Sequence, residues 1–236
     1  MGRLHPRAVV CRGQNLAISA AERLRTFHAR ACPCCGWRGL RFRSFAVLES
    51  LRTGVICPGC GSFERHRALA SFYPAFFERL GIRPSRLIHF APEPCLRRVV
   101  ASLCDRYETS AYGERAPADL RLDVTRMALP DASCDALLLN HVLDCIPDDR
   151  PAIAEMHRVL RPGGIVLAVS TFEQGGPSRE VPVSSNSLYR VYGSHDLAQR
   201  FAPFTASAVN AAEGLSAHVR RTCGIPAVVT VLVLAK

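Results

Sequence analysis

Residues 129–164 read LPDASCDALLLNHVLDCIPDDRPAIAEMHRVLRPGG, and this stretch decides the fold class. Ala136 to Asn140 is a short, very apolar run, the texture of a strand buried on both faces. Asp148 to Leu160 reads as a helix, and Pro162, Gly163 and Gly164 supply the turn into a second apolar run, Ile165 to Ser170. Strand, helix and strand in succession form the unit of a parallel sheet covered by helices.

The same alternation extends outward. Upstream, Leu87 to Phe90 reads as a strand, Glu93 to Cys104 as a helix, and Arg106 to Ala111 and Leu120 to Val124 as strands. Downstream, residues 172–193 read as a long loop, followed by a helix near His195 to Phe201 and a last strand at Val228 to Leu234. Before the alternating part, Ser62 to Leu80 has helical periodicity that Pro74 is expected to kink or divide and Gly81 to close. Ile18 to Ala31 reads as a short helix with Ser19 as its N-cap.

Between those helices lie two cysteine pairs, Cys32 with Cys35 and Cys57 with Cys60, separated by 21 residues. Each pair has a proline after its first cysteine (Pro33, Pro58) and a glycine after its second (Gly36, Gly61), the make-up of a knuckle whose amides turn toward sulfur. Four thiolates in a tetrahedron suit Zn2+, and a closed shell leaves no position for activated water, so the expected role is structural. Iron held as in rubredoxin is the alternative. Leu40 to Leu51, between the pairs, suits two short strands. Cys34 is an extra thiol, and Glu64, Arg65, His66 and Arg67 read as helix-face residues.

Composition narrows the class further. An apolar share of 48% with 21% charged residues fits a packed globular chain. The longest apolar stretch, Ala227 to Ala235, is far below the roughly 20 residues of a bilayer span, and Ala8 to Cys11 is too short for the core of a signal peptide. No membrane partner and a cytoplasmic location are therefore expected. Eleven cysteines, an odd number, favour metal plus free thiols over a disulfide framework. Residues 1–99 carry 17 Arg against 5 Glu, whereas residues 100–236 are close to neutral, so the front of the chain holds the net charge of +10. A basic front allows a nucleic-acid partner through phosphate neutralisation, although an arginine bias over the whole chain explains it equally well.

On these residues the chain resembles class I S-adenosylmethionine-dependent methyltransferases, most clearly over residues 129–164. With CPCCG, CPGCGSFERHR and LIHFAPE included, it is similar to a bacterial group that carries an N-terminal zinc ribbon. The resemblance implies an α/β fold, a Rossmann-like mostly parallel sheet, with a small ribbon ahead of it. The expected division is a segment 1–31 with a short helix, a ribbon 32–61, a helical connection 62–84 and the Rossmann-like domain 85–236. It also implies S-adenosylmethionine as cofactor beside structural Zn2+.

In such a sheet the ligand lies at the carboxyl ends of the strands, where strand order switches. The resemblance places His89, Ala91, Glu93, Asp123, Val124 and Asn140 on the cofactor, and His141 and Asp144 between cofactor and acceptor. An imidazole titrates near neutrality, which makes His141 the general-base candidate. The first-strand loop, His89 to Pro94, lacks the glycines most relatives carry and is expected to follow a different path. Ala111 stands where a carboxylate usually meets the ribose, with Glu108 or Glu114 as possible substitutes. Tyr189, Arg190 and Tyr192 are expected to meet the acceptor. The leading reading is methyl transfer to an oxygen or nitrogen of a small molecule. The competing ones are a nucleic-acid methyltransferase clamped by the ribbon and a non-catalytic scaffold.

Overall fold

The computed structural model describes residues 30–47, 50–113, 117–182 and 188–236. The helix expected over residues 18–31 lies outside them, apart from Arg30 and Ala31, which form a strand instead. β1 (Arg30–Ala31) pairs antiparallel with β2 (Arg38–Gly39) around the first cysteine pair. β3 (Arg43–Val47) and β4 (Ser50–Ile56) pair antiparallel ahead of the second; two strands were expected over Leu40 to Leu51, and β4 extends past that range.

α1 (Glu64–Leu80) follows and ends at Gly81, whose left-handed φ of 64° closes the helix as expected. Pro74 does not divide it. A proline in a helix interior removes one hydrogen bond, but here Tyr73, Phe76 and Phe77 are buried beside it, and their packing keeps the helix continuous.

The α/β part begins with β5 (Arg86–Phe90), α2 (Arg97–Ala101), β6 (Arg106–Ala111) and β7 (Leu120–Arg121). It continues with β8 (Cys134–Asn140), a 3-10 turn (Leu143–Cys145), α3 (Arg150–Val159) and β9 (Leu160–Val169). α2 is shorter than the expected helix because Pro92 and Pro94 offer no N–H and the chain turns first through Leu96 N–H to Glu93 C=O. Residues 172–193 are not a bare loop. β10 (Phe172–Glu173), β11 (Arg179–Glu180) and β12 (Arg190–Gly193) make a small sheet in the order β10-β12-β11. Then come α4 (Leu197–Arg200), β13 (Thr205–Asn210), α5 (Ala217–Cys223) and β14 (Thr230–Ala235). β13 escaped the sequence reading because it is a half-exposed strand of small residues, TASAVN, without the apolar run of a buried one.

The central sheet has seven strands in the order β13-β14-β9-β8-β5-β6-β7. β5 is parallel to both β6 and β8, and β14 runs antiparallel to both neighbours. Chain order reverses on either side of β5, so the switch point lies between the carboxyl ends of β5 and β8.

Strand alternation sorts the core into two layers. Leu87, Leu138, Leu167 and Val231 face α1, and their layer continues into Cys32, Phe42 and Cys57 of the cysteine module. Ile88, Leu137, Leu139 and Val166 face Ile153 and Met156 of α3 on the other side. Each such buried side chain contributes about 1.5–3 kcal/mol.

One fully buried guanidinium joins the cysteine module to the rest. Arg67 donates to Val55 O and Ser62 O in the module (2.9 and 2.7 Å) and to Cys223 O and Gly224 O at the end of α5 (2.5 and 3.0 Å). Its charged plane sits 3.9 Å from the centre of the Phe42 ring. A planar, multi-donor cation suits this place, because the last carbonyls of α5 have no partners within the helix.

Candidate functional site

The two cysteine pairs form matching knuckles. Gly36 N donates to Cys32 O and Gly61 N to Cys57 O, at 2.8 and 2.9 Å, with φ of 77° and 70° at the two glycines. These conformations are available to glycine without strain. The four Sγ atoms of Cys32, Cys35, Cys57 and Cys60 lie within 4.8 Å of one another, with Cys32–Cys60 at 3.7 Å and Cys35–Cys57 at 3.8 Å. A tetrahedron with metal–sulfur bonds of about 2.3 Å has edges of about 3.8 Å, so the donor set fits Zn2+. Burial pushes the Cys35 and Cys57 thiols up, whereas hydrogen bonds from Cys34 and Ser62 pull Cys32 down. Cys34 stands outside this tetrad, its thiol donating to His66 O at 3.5 Å.

At the switch point a cavity of about 470 Å³ opens between the carboxyl ends of β5, β6 and β8 and the segment after β7. Ala91, Asp123, Val124 and His141 line it, as do Ser110, Tyr112 and Pro147. Its size suits a small organic ligand. Ala91 and His141, on its rim, have φ of 44° and 52°, two of only three non-glycine residues with positive φ among the described residues. The first-strand loop thus makes a glycine-type turn with an alanine in it, and strain of this kind gathers at ligand sites. Asp123 Oδ1 accepts from Thr125 N and Oγ1 at 2.8 and 2.6 Å, fixing the carboxylate within its turn at the cavity wall. The Ser110 hydroxyl, at the same wall, is buried without a hydrogen-bond partner.

His141 is braced from behind. Its Nδ1 lies 3.2 Å from Oδ2 of Asp144, which also accepts from Thr171 N and Oγ1 at 2.8 and 3.0 Å. Asp144 is 1% exposed. Burial would raise its carboxyl, but the bonds from His141 and Thr171 outweigh it and hold the group below the ordinary carboxylate range. With Nδ1–H donated to a carboxylate, the neutral ring keeps an open lone pair on Nε2, the arrangement of an oriented base.

His89, Glu93 and Asn140 do not line that cavity. They gather beside it, on the α1 face of the sheet, in a buried polar cluster. Glu93 Oε2 accepts from Asn140 Nδ2 at 3.1 Å and lies 3.2 Å from His89 Nε2, while Oε1 lies 3.7 Å from His66 Nε2. Tyr73 OH donates to Asn140 Oδ1 at 2.9 Å, and Tyr107 OH meets His89 Nδ1 at 3.0 Å. Burial works against charge on Glu93, yet His89, Asn140 and His66 outweigh it and keep its carboxyl below the usual range.

Several expectations need correction. Ala111 is buried and absent from the cavity wall, where its neighbours Ser110 and Tyr112 stand instead. Glu108 is held by Arg86 and Arg106 near the amino ends of β5 and β6 and is no substitute at the ribose; Glu114 lies outside the described residues. Arg190 and Tyr192 are buried around Asp149, with Tyr192 OH at 2.7 Å and Arg190 at 3.2 Å from its carboxylate, so neither is open to an acceptor. His66 and Tyr73 of α1 went unrecognised because they read as ordinary positions of an amphipathic helix.

A mostly parallel sheet with a crevice at its switch point, joined to a four-cysteine module, defines the class as Rossmann-like with a cysteine tetrad compatible with a zinc ribbon. Residues 89–168 match the Methyltransferase domain family. Two uncharacterized chloroplastic methyltransferases of Arabidopsis thaliana are similar to this chain: one is 38% identical over 79 residues, covering 32% of this chain and 22% of that protein. The other is 43% identical over 61 residues, covering 26% and 17%. The chain thus spans about a fifth of the length of the curated relatives it matches. In fold it is similar to the Burkholderia thailandensis 1,6-didemethyltoxoflavin-N1-methyltransferase, solved with 1,6-didemethyltoxoflavin and S-adenosylhomocysteine. That likeness has a TM-score of 0.50 at 21% identity, covering 71% of this chain and 78% of the other. The α/β part of this chain shares that fold, and residues 89–168 within it match the methyltransferase domain family.

Proposed function

We propose that the chain transfers a methyl group from S-adenosylmethionine to an oxygen or nitrogen of a small-molecule acceptor, with a structural Zn2+ at Cys32, Cys35, Cys57 and Cys60. The observation that carries this reading is the His141–Asp144 pair at the rim of the switch-point cavity. The cofactor, when bound, supplies an activated methyl group on a sulfonium. The residues of the chain orient and exclude water. Asp123, Val124 and Ser110 offer the wall for a nucleoside, Asp144 holds the His141 ring, and His141 Nε2 takes the proton from the acceptor as its lone pair attacks. His141 keeps 38% of its side chain open at the rim, within reach of an acceptor, and a cavity of about 470 Å³ suits a small one.

Titrating zinc-replete protein with S-adenosylmethionine and S-adenosylhomocysteine tests this. Micromolar binding that Asp123→Ala removes supports the enzyme; no binding turns the reading to a non-catalytic scaffold. The exposed Arg38, Arg41 and Arg43 of the cysteine module favour the second reading, an RNA acceptor. RNA affinity that falls steeply between low and moderate salt, with methyl incorporation into RNA, supports that alternative. No helix among the described residues is long and apolar enough to cross a membrane.

A further inference from the structure

We infer that Cys95 is a nucleophilic thiol, with His66 as its base and Glu93 as the carboxylate behind that base, and that a peroxide joins it to Cys34 as a disulfide outside the metal tetrad. Neither thiol has a part in the metal site or in the methyl-transfer reading. Cys95 lies half-buried between the loop after β5 and α2, and its Sγ is 3.4 Å from Nδ1 of His66 on α1. Phe63 N–H donates to the same Nδ1 at 3.2 Å, so this nitrogen carries the lone pair and the neutral ring keeps its proton on Nε2. The Cys95 S–H is therefore the donor in its contact with the ring. On the far side, Nε2 lies 3.7 Å from Oε1 of Glu93 and has no hydrogen-bond partner. At that distance the carboxylate acts as a near charge, which favours the protonated ring.

Thiol, imidazole and carboxylate in line are the arrangement that makes a cysteine a nucleophile, because the thiolate is the reactive form and a base oriented by a third group takes its proton. A hydrogen bond from Cys34 leads, burial opposes it and His66 adds to it, so that the Cys95 thiol is pulled down to about 5. Cys34 is placed as the resolving partner. It is the middle cysteine of the first knuckle and stands outside the tetrad, its thiol donating to His66 O at 3.5 Å. Both sulfurs thus rest on one residue, one at its carbonyl and the other at its ring. Cys34 is buried and Cys95 has the open edge, so an oxidant meets Cys95 first. The Cys95 thiolate attacks one peroxide oxygen, the O–O bond breaks, and protonated His66 gives its proton to the leaving hydroxide, which leaves a sulfenic acid and one water. The Cys34 sulfur then displaces hydroxide from the sulfenic sulfur; its own proton departs with that hydroxide as a second water, and the S–S bond forms. The two sulfurs are oxidised by two electrons in all, and these reduce the peroxide. The new bond fastens the first knuckle to the chain two residues beyond Glu93.

The test treats the zinc-replete full chain with equimolar hydrogen peroxide, maps the product by fragmentation mass spectrometry and assays the metal that stays bound. A Cys34–Cys95 cross-link with the zinc retained is expected. In Cys34→Ser the reaction should stop at a Cys95 sulfenic acid that dimedone captures, and in Cys95→Ser no cross-link should form. Thiol reactivity is read separately with iodoacetamide at neutral pH. Cys95 of the wild type is expected to alkylate at least about tenfold faster than Cys145 and Cys223, which are also half-buried but have no imidazole beside them, and His66→Gln should remove that advantage. The comparison within the wild type holds even where His66→Gln fails to fold. A first bond among the tetrad sulfurs with release of zinc, or a Cys95 no faster than Cys145 and Cys223, overturns the inference. A Cys95 that stays sulfenic in the wild type overturns its pairing with Cys34.

Discussion

His141 Nδ1 lies 3.2 Å from Oδ2 of Asp144, and the histidine reaches this position with a left-handed φ of 52° at the end of β8. A strained backbone holding an imidazole against a buried carboxylate is costly as architecture and useful as an oriented base. Asp144→Asn replaces an obligate acceptor by a group that also donates. We expect methyl transfer to fall by about 10²-fold, with S-adenosylhomocysteine affinity changed little, read from single-turnover rates and calorimetry.

Acid stability follows from the same carboxylate. Asp144 and Glu93 titrate lower in the folded chain than in the unfolded one, so the unfolded chain takes up their protons first as pH falls. Their stabilisation is complete above the unfolded values near about pH 4 and is lost as pH falls through the depressed native values. Asp144→Asn should be less stable than wild type at pH 7 and lose less on going from pH 5 to pH 3. Urea denaturation across that range measures it, and parallel acid limbs would remove Asp144 as a contributor.

Metal removal should destabilise the whole chain and not the cysteine module alone. Cys32, Cys57 and Phe42 share one core with α1 and the central sheet, and Arg67 ties that module to the end of α5. Chelation is expected to move a single cooperative thermal transition downward by several kcal/mol of stability, since a structural metal contributes folding free energy directly. Two separate transitions would show that the module melts by itself.

Arg67→Met keeps much of the volume but leaves the carbonyls of Val55, Ser62, Cys223 and Gly224 without their donor. A loss of about 4 kcal/mol is expected by urea denaturation, from several buried acceptors losing their bonds at once. Arg67→Lys should recover little, because a point-like ammonium cannot serve four diverging carbonyls.

Ala91→Gly removes a Cβ from a residue at φ 44°. Relief of left-handed strain, worth about 1–2 kcal/mol, is opposed by the greater backbone entropy of glycine, about 0.5–1 kcal/mol, so a gain of about 1 kcal/mol or less is expected in thermal denaturation. A loss would mean that packing of the alanine methyl outweighs the strain.

The cysteine spacing and the apolar run 136–140 mark the cysteine module and the mostly parallel sheet in the sequence, because each is a pattern within one or two elements; Pro162 to Gly164, expected as a turn, lie inside β9. Asp123, Val124, Ala91 and His141 were legible for a related reason: they end strands or follow them directly, and the topology of a parallel sheet brings strand ends together. The loop after β5 was read from its composition as taking a new path, yet its backbone takes the left-handed turn at Ala91 all the same, since surrounding structure can impose a conformation that local preference disfavours.

By itself, then, the sequence determined the fold class and the cysteine tetrad, which follow from local periodicity and spacing, and the family resemblance added the strand-end residues of the crevice. Tertiary structure alone decided that Arg190 and Tyr192 are buried around Asp149, that Arg67 fastens the module to α5, and that Tyr73 stands behind Asn140 from 67 residues away. Whether a polar side chain becomes a surface contact, a strut or part of a site depends on what desolvates it and what pairs with it. Those partners come from distant segments, and no window of sequence contains them.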